Sequence, residues 1–332
     1  MIRIKSYIPV LLTAAMLLLS AATARAQVIP LLGGQRAGIS SLQFLKIGGS
    51  ARAAAMAESF ISVANDASAL QYNPAGMVQF EGHEAIFTHT SWLVDLQHEF
   101  VGAVYRISPS DAVGFSFTSL HTDDMAVRTE TQPFGTGRYF TYGDVALGLS
   151  YARQLTSQFS FGATIRYVEE TIDVLKTRAF MIDLGTYYWT GLGSTRFSVA
   201  VSNFGNNVSP DGTVDLLRGE SVSSFQEFSP PTTFRIGFAF EPFEDDYNRL
   251  TTSIQLNHPN DNSENLAVGA EYAWNRIFFV RAGYKMNVDE EGLTAGVGLQ
   301  APLGFARVGV DYSFADFDRL GGVHRITVRM GL

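Results

Sequence analysis

The chain has 332 residues, no cysteine and a formal net charge of −8 at neutral pH. The absence of cysteine excludes disulfides, thiolate metal sites and cysteine nucleophiles, and the acidic balance argues against nucleic-acid binding, which needs a basic surface. Charged residues make up 17% of the chain and aromatic residues 12%, a composition typical of a fold with one lipid-facing surface and one wet surface.

Residues 1–26 are predicted to be a cleaved secretory signal peptide. Arg3 and Lys5 form the charged start, an apolar run covers residues 7–22, and the Ala-Arg-Ala sequence at 24–26 supplies small residues for cleavage. The alternative is a membrane anchor, but the run is shorter than the about 20 residues that a spanning helix needs. Cleavage removes three basic residues and takes the net charge to −11.

The segment at residues 27–83 differs in composition from the rest of the chain and is predicted to be an N-terminal plug. Residues 51–57 are strong helix formers preceded by Ser50 as a possible cap, and residues 66–70 suggest a second helical turn. Two helices this short bury little surface by themselves. We therefore expect them inside or beneath the mouth of the structure that follows.

Residues 84–332 repeat a pattern of apolar and polar residues with a period of two, which is typical of half-buried strands. In the stretch 304–314, Val308, Val310 and Tyr312 alternate with Gly309 and Asp311. The pattern predicts an all-β fold: a transmembrane, up-and-down, antiparallel β-barrel of about 14 strands. A soluble β-sandwich would also alternate, but it would seldom place aromatic residues on so many outer faces. The predicted strands are 85–92, 97–107, 111–120, 144–151, 159–167, 178–189, 196–202, 234–241, 249–257, 266–274, 276–286, 292–300, 304–314 and 325–330.

Many charged residues fall on the predicted inner faces of these strands, where they avoid the cost of facing lipid. Such residues could form an ion path. Because both signs are mixed, they favour instead an interior network of ion pairs that fills the barrel and holds the plug. The candidates for this network are Arg166, Asp183, Arg235, Arg281, Arg307, Asp311, Arg325 and Arg329.

An Asn-Pro-Ala-Gly box, formed by Asn73, Pro74, Ala75 and Gly76, follows the second predicted helical turn. Pro74 fixes φ where the helix must end, Asn73 can bond nearby backbone, and Gly76 permits an otherwise strained turn. We predict that the box shapes the plug and binds no ligand.

The order of these motifs resembles the PorV/PorQ family of outer-membrane proteins within the FadL-like barrels. A helix with Arg52 and Met56 leads into an acidic turn at Asp66 and then into the box. A Phe-Leu-Lys-Ile-Gly stretch at 44–48 precedes this set, and a His-Thr-Ser-Trp-Leu-Val-Asp stretch at 89–95 follows it. The resemblance covers essentially the whole mature chain.

The resemblance implies an integral protein of the bacterial outer membrane that is not an enzyme. Family members of the best-known kind serve type IX protein secretion, where they bind the secretion machinery or secreted cargo proteins. FadL-like relatives instead pass hydrophobic small molecules through the barrel wall, which is the alternative function. The membrane partners are expected to be outer-membrane lipid and lipopolysaccharide.

The outer loops are the expected surface for a protein partner. Phe225, Phe228, Pro230 and Pro231 place apolar residues in the second long loop, and exposed aromatic residues commonly anchor interfaces. The sequence indicates no cofactor, metal or catalytic residue. A dinucleotide-like Gly pattern at 296–301 lies within a predicted strand without a following helix, and the six histidines lack metal-binding spacing.

Overall fold

The computed structural model describes residues 38–216 and 219–332, so the predicted signal peptide lies outside the described residues. Fourteen antiparallel strands follow one another around a closed barrel, and the last strand pairs with the first. This confirms the predicted fold class. The strands are β1 Glu84–Ser91, β2 Gln97–Arg106, β3 Asp111–His121, β4 Tyr142–Gln154, β5 Phe159–Ile172, β6 Leu175–Trp189, β7 Arg196–Gly205, β8 Thr233–Glu244, β9 Asn248–Pro259, β10 Asn265–Trp274, β11 Phe278–Met286, β12 Leu293–Leu303, β13 Ala306–Asp316 and β14 Gly322–Gly331.

The outer face of the barrel carries the apolar residues, and the inner face carries the polar ones. On β13, Val310 is 45% exposed whereas its neighbour Asp311 is 1% exposed. Phe161 on β5 and Phe238 on β8 are likewise exposed on the outside. A soluble sandwich would bury these apolar side chains, so the alternation serves a surface that contacts acyl chains. Within the described ranges, no helix is long and apolar enough to cross a membrane.

The connections differ in length between the two ends of the barrel. Turns after the even-numbered strands are short, which is typical of the periplasmic end. The long connections, residues 122–141 and 206–232, follow β3 and β7 at the opposite, outer end, and each contains a small two-stranded hairpin. The β5–β6 hairpin also extends at that end, because its strands, of 14 and 15 residues, are the longest.

The N-terminal segment is folded inside the barrel. It contains two α-helices, α1 Ala51–Ala54 and α2 Ala69–Tyr72, and two 3₁₀ turns, Gln43–Lys46 and Pro74–Val78. Further 3₁₀ turns lie at Leu93–Asp95 and Asp318–Leu320 in the outer connections.

Helix α1 begins as the sequence predicts but ends earlier. Ser50 caps it by accepting a hydrogen bond from the backbone N–H of Ala53 at 3.5 Å. The helix stops at Ala54, and the backbone turns into the left-handed region at Ala57 and Glu58. Wall contacts accompany this turn: the Ala57 N–H is shared between the Ala54 carbonyl and Thr294 Oγ1 on β12, at 3.0 Å each, and Thr294 Oγ1 donates to the Ala55 carbonyl at 3.0 Å.

Candidate functional site

The Asn-Pro-Ala-Gly box joins the plug to the wall at β5 and β6. The side-chain oxygen of Asn73 accepts a hydrogen bond from Ala75 N–H at 3.1 Å and so caps the 3₁₀ turn that Pro74 begins. Its Nδ2 donates to the carbonyl of Ile61 in the plug at 2.9 Å and to that of Thr186 on β6 at 3.0 Å. One side chain thus fixes a turn, a plug loop and a barrel strand together.

Gly76 serves the box by its small size and not by an unusual backbone angle. Its φ is not positive, so the expectation that it permits a strained turn is wrong. A Cβ at this position would lie 3.0 Å from the Cβ of Ala69 and would also press on the carbonyl oxygen of Ala64. Glycine is therefore needed because two plug segments approach each other closely.

Glycines on the inner wall provide the same kind of space around much of the circumference. A Cβ added to any of these residues would meet plug atoms closer than ordinary van der Waals distance; at Gly237, for example, it would lie 2.7 Å from Ser62 Oγ. We call this set the glycine belt: Gly102, Gly114, Gly162, Gly185, Gly237, Gly269, Gly283 and Gly296. The belt lets the plug pack closely on eight different strands of the wall, through backbone atoms at Gly162 and Gly283 and through side chains at positions such as Gly102 and Gly237.

A closed cycle of ion pairs joins α1 and the following loop to β10, β11, β13 and β14. We call it the charge ring, and it consists of Arg52, Glu271, Arg281, Asp311, Arg329 and Asp66. Arg52 binds Glu271 through two hydrogen bonds of 2.8 and 2.9 Å. Arg281 bridges Glu271 at 2.6 Å and Asp311 at 2.7 Å. Arg329 then connects Asp311 at 3.0 Å to Asp66 at 3.3 Å, and Asp66 returns to Arg52 at 2.7 Å.

The charge ring contains three positive and three negative side chains, and all six are buried. Buried charges are costly unless each is paired and hydrogen-bonded, which the cyclic order achieves for every member. Burial by itself raises the pKa of Asp66, but Arg329 and Arg52 together hold that pKa below its ordinary value. The ring therefore remains charged at neutral pH and fixes the plug against one side of the wall.

Two further buried pairs lie elsewhere on the wall. Arg166 on β5 binds Asp183 on β6 at 2.6 Å, and the other oxygen of Asp183 accepts the backbone N–H of Asn203 at 2.6 Å. Asn203 has a left-handed φ of 58° at a bulge between β6 and β7. Arg196 binds Glu241 through two hydrogen bonds of 2.6 and 2.8 Å. These pairs link neighbouring strands.

The structure does not bring all the predicted network residues into ion pairs. Arg325 is buried but lies 3.9 Å from its nearest carboxylate, that of Glu58. Arg235 is half-buried and donates only to Ser202 Oγ at 3.0 Å, and Arg307 is exposed at the periplasmic mouth. Within the described ranges neither Arg235 nor Arg307 forms an ion pair. The other predicted members, Arg166, Asp183, Arg281, Asp311 and Arg329, are paired as described above.

Apolar side chains of the plug fill the remaining centre of the lumen. Phe60, Leu70 and Met77 pack with Phe100 and Val104 of β2 in one buried cluster. Met56 belongs to the same cluster and lies against Gly269. These side chains are almost fully buried, so their packing contributes to the stability of the seated plug.

Three of the cavities formed by the described residues lie at the two mouths, and charged or amide side chains form part of the lining of each. The periplasmic cavity has a volume of about 560 Å³ and lies below the charge ring. A second cavity of about 430 Å³ adjoins it and shares Arg52, Asn65 and Arg249. The outer cavity, of about 240 Å³, is lined by Arg166, Arg235 and several amides. None of these three is an apolar tunnel.

The second outer loop is attached to the barrel mouth and not wholly exposed. Pro230 and Pro231 are buried, and their carbonyls accept hydrogen bonds from Asn260 and Asn203 at 2.9 and 3.4 Å. The expectation that these prolines add exposed apolar surface is therefore wrong, because they seat the loop on the barrel. Phe225 and Phe228 are half-buried. In the first long loop, Phe134 is 99% exposed.

Several important residues were not among the predicted sites. The glycine belt was visible in the sequence as glycines at inward-facing strand positions, but only the plug contacts explain them. Arg52 was identified through the family motif, whereas its pairing with Glu271 had no sequence signal because the two are 219 residues apart. Within the described ranges, no group of three or more His, Asp or Glu side chains could hold a metal ion.

A comparison with family models finds one match, to the family described as type IX secretion system protein PorV, over residues 31–260. The matched range contains the whole described plug and the wall as far as the loop after β9. No match was found among curated proteins.

Solved structures with a similar fold include two toluene transporters and a monoaromatic hydrocarbon channel. The toluene transporter TbuX of Ralstonia pickettii has 13% sequence identity and a TM-score of 0.58, with 85% of this chain and 97% of that chain covered. The toluene transporter TodX of Pseudomonas putida has 13% identity and a TM-score of 0.57, with 86% and 97% covered. The CymD monoaromatic hydrocarbon channel has 13% identity and a TM-score of 0.54, with 85% and 96% covered. At this identity the likeness shows the fold alone.

Proposed function

Because this outer-membrane β-barrel belongs to the family of type IX secretion system protein PorV, we propose that it is a partner-binding component of type IX secretion that conducts no solute. The family matched and the channels of similar fold are of non-catalytic kinds. We extend the absence of catalysis to the present chain, because many of the buried charged groups in its lumen form ion pairs that hold the plug or link neighbouring strands.

The main support for the proposal is that the plug occupies the lumen of the barrel. The plug is attached to the wall by the charge ring on one side and by Asn73 on the other. A hydrophobic solute would need a continuous apolar path, whereas charged and amide groups contribute to the lining of both the periplasmic and the outer cavity. We therefore assign the partner-binding function to the surfaces of the barrel.

The outer loops are the proposed surface for the secretion machinery or its cargo. Phe134 and Tyr139 are exposed in the first loop, and Leu216 is exposed in the second. The second loop is held in place by Ser229, whose carbonyl accepts the N–H of Ser41 in the plug at 3.2 Å. A loop fixed to the plug loses less conformational freedom on binding than a free loop, which favours affinity.

The membrane partner is the lipid of the outer membrane, including lipopolysaccharide at the outer leaflet. Support comes from the exposed apolar residues of the wall, such as Leu149, Ile165 and Phe180. Such a belt in a barrel is the feature that acyl chains contact.

A deletion strain of the native host tests the proposal directly. We expect secreted cargo to accumulate inside the cell, and we expect export to return when the full chain is supplied again. Export that continues unchanged in the deletion strain would remove the secretion role.

The same strain separates secretion from the transport of hydrophobic solutes. Uptake of radiolabelled toluene should be equal in the wild-type and deletion strains if the barrel conducts no solute. A loss of uptake with unchanged export would establish the transport alternative instead.

A triple substitution of Phe134, Tyr139 and Leu216 by serine should impair export while leaving the barrel folded, as judged by heat-modifiable gel migration.

A further inference from the structure

We propose that the periplasmic cavity binds an acidic peptide segment of a periplasmic partner, with Arg249 and Arg307 as the donors to its carboxylates. The inference goes beyond the proposed function, because it places a second binding site at the end of the barrel opposite the outer loops. It rests on the shape of the cavity, on its unpaired donors and on the mixed character of its walls.

The cavity is a pocket with a closed upper end. Phe80, Glu81 and Glu84, where the plug leads into β1, form one side, and the periplasmic ends of β11 to β14 form the other. Arg52, Arg281 and Arg329 of the charge ring close it above. Its volume of about 560 Å³ lies within the range of about 300–1,000 Å³ that is usual for ligand pockets. A ligand must enter from the periplasm and cannot pass farther.

Donors that lack acceptors converge on this space. Arg281 is 0% exposed, and its Nη2 has no hydrogen-bond partner, although Nε and Nη1 are engaged by Glu271 and Asp311. The buried Nε of Arg249 has no partner either. Among residues 38–216 and 219–332, no carboxylate lies within 4 Å of the guanidinium of Arg249 or of Arg307. Buried donors without acceptors are unfavourable, so these positions are suited to an anionic ligand.

The walls between the arginines favour a peptide over a simple inorganic anion. Phe279, Pro302 and Phe305 line the cavity beside the guanidinium groups, and Phe305 is 91% exposed. Glu81 and Glu84 face them from the plug side and can accept backbone N–H groups. A segment that alternates acidic and apolar side chains would use the arginines, the aromatic rings and the glutamates together.

Fluorescence anisotropy with the detergent-extracted full chain tests the site. The probe is a fluorescein-labelled pentapeptide of sequence Phe-Glu-Phe-Glu-Leu with a free terminal carboxylate. We expect the variant Arg249→Gln/Arg307→Gln to bind it at least about tenfold more weakly, because two charge-assisted hydrogen bonds are lost. A second probe, with glutamine for both glutamates and a terminal amide, should bind the unmodified protein more weakly by a similar factor.

The matched control changes the same charges at the other end of the barrel. Arg128 and Arg138 are exposed in the first outer loop, and Arg128→Gln/Arg138→Gln should leave the affinity for the acidic probe unchanged. Equal weakening by this control, or equal affinity for the amide probe, would overturn the proposal. Displacement of the probe by inorganic phosphate at equal concentration would also overturn it, since the cavity would then accept any anion.

Folding of each variant is checked by heat-modifiable gel migration. Since Arg249 and Arg307 form no ion pairs with described residues, the double variant should fold. If it fails to fold, Arg307→Gln alone, at an exposed position, is measured against Arg138→Gln with the same two outcomes.

Discussion

The plug meets the barrel wall in two different ways on opposite faces of the lumen. Against β10, β11, β13 and β14, long charged side chains form the charge ring. Against β5 and β6, the Asn73 side chain and the backbone of the box lie directly on Gly162 and Gly185. The first contact is directional and electrostatic, and the second depends on close packing.

The difference shows how a narrow barrel can be filled by a segment with little regular structure. Ion pairs select one rotation and height of the plug, because each guanidinium must meet its own carboxylates. Glycines allow the plug backbone to approach where no side chain would fit. Neither device requires a long helix, which explains why α1 and α2, of four residues each, are sufficient.

Removing one member of the charge ring should give the largest effect. Arg281→Met leaves the buried carboxylates Glu271 and Asp311 with one partner fewer each, and we expect a loss of about 3–5 kcal/mol in the free energy of unfolding. Urea unfolding of the barrel in detergent measures it. Arg178→Met on β6, which removes an exposed ion pair with Glu169 on β5, should change nothing measurable. Similar losses for both variants would contradict the importance of burial.

Filling the space at the box should give the next largest effect. In Gly185→Ala, the new Cβ meets the Asn73 side chain and lies 3.0 Å from Pro74 Cδ, and overpacking of this kind costs about 1–3 kcal/mol. The same unfolding measurement applies. The control is Gly143→Ala on β4, where the nearest atom to the new Cβ is 3.6 Å away. A loss at Gly143 as large as that at Gly185 would show that the glycine belt has no special role.

A fall in pH should weaken the contacts that the charge ring makes between the plug and the wall before it affects the contacts of the Asn-Pro-Ala-Gly box. The pKa of Asp66 is lower in the folded protein than its usual value, which is about 3.9 in an unfolded chain. Its contribution to stability is therefore complete above about pH 4 and is lost as the pH falls through the lower, folded pKa. The difference in melting temperature between the unmodified protein and Asp66→Asn should stay constant from pH 7 to 5 and narrow only below about pH 4. Narrowing already near pH 6 would contradict this assignment.

The ion pair at the outer end of the plug should contribute least. Lys46 binds Asp261 in the β9–β10 connection at 2.5 Å, but the Lys46 side chain is partly exposed. We expect Lys46→Met to cost less than about 1 kcal/mol in the free energy of unfolding, as is usual for solvent-accessible pairs. A loss as large as that of Arg281→Met would show that the outer tether, and not the charge ring, fixes the plug.

The strands were predictable because lipid on one side and the lumen on the other impose an alternation of period two on every strand. All fourteen predicted strands overlap observed ones, and the outward positions of Phe161, Phe238 and Val310 are as predicted.

The residue at which helix α1 ends was not predictable from the sequence. Ala55 and Ala57 favour a helix by intrinsic propensity, but where the helix ends this segment is hydrogen-bonded to Thr294, which is 237 residues from Ala57.

The site was predictable in part only. The orientation of Arg166, Arg281 and Asp311 towards the lumen followed from the alternation, because a charge that faces lipid is costly. Which charges pair did not follow, and Arg235 and Arg307 remain without carboxylate partners among the described residues. Pro230 and Pro231 look like exposed loop residues in the sequence, yet both are buried, and their carbonyls accept hydrogen bonds from Asn260 and Asn203.

By itself, the sequence determined the fold class, the number of strands and the side of the wall on which residues such as Val310 and Asp311 lie. These properties depend on neighbours along the chain and on a solvent that differs between the two faces. The tertiary structure alone decided that the plug occupies the lumen, that six charges form one ring, and that inward glycines receive the plug. Those properties depend on distances between residues far apart in the chain, and closure of the barrel and seating of the plug set these distances.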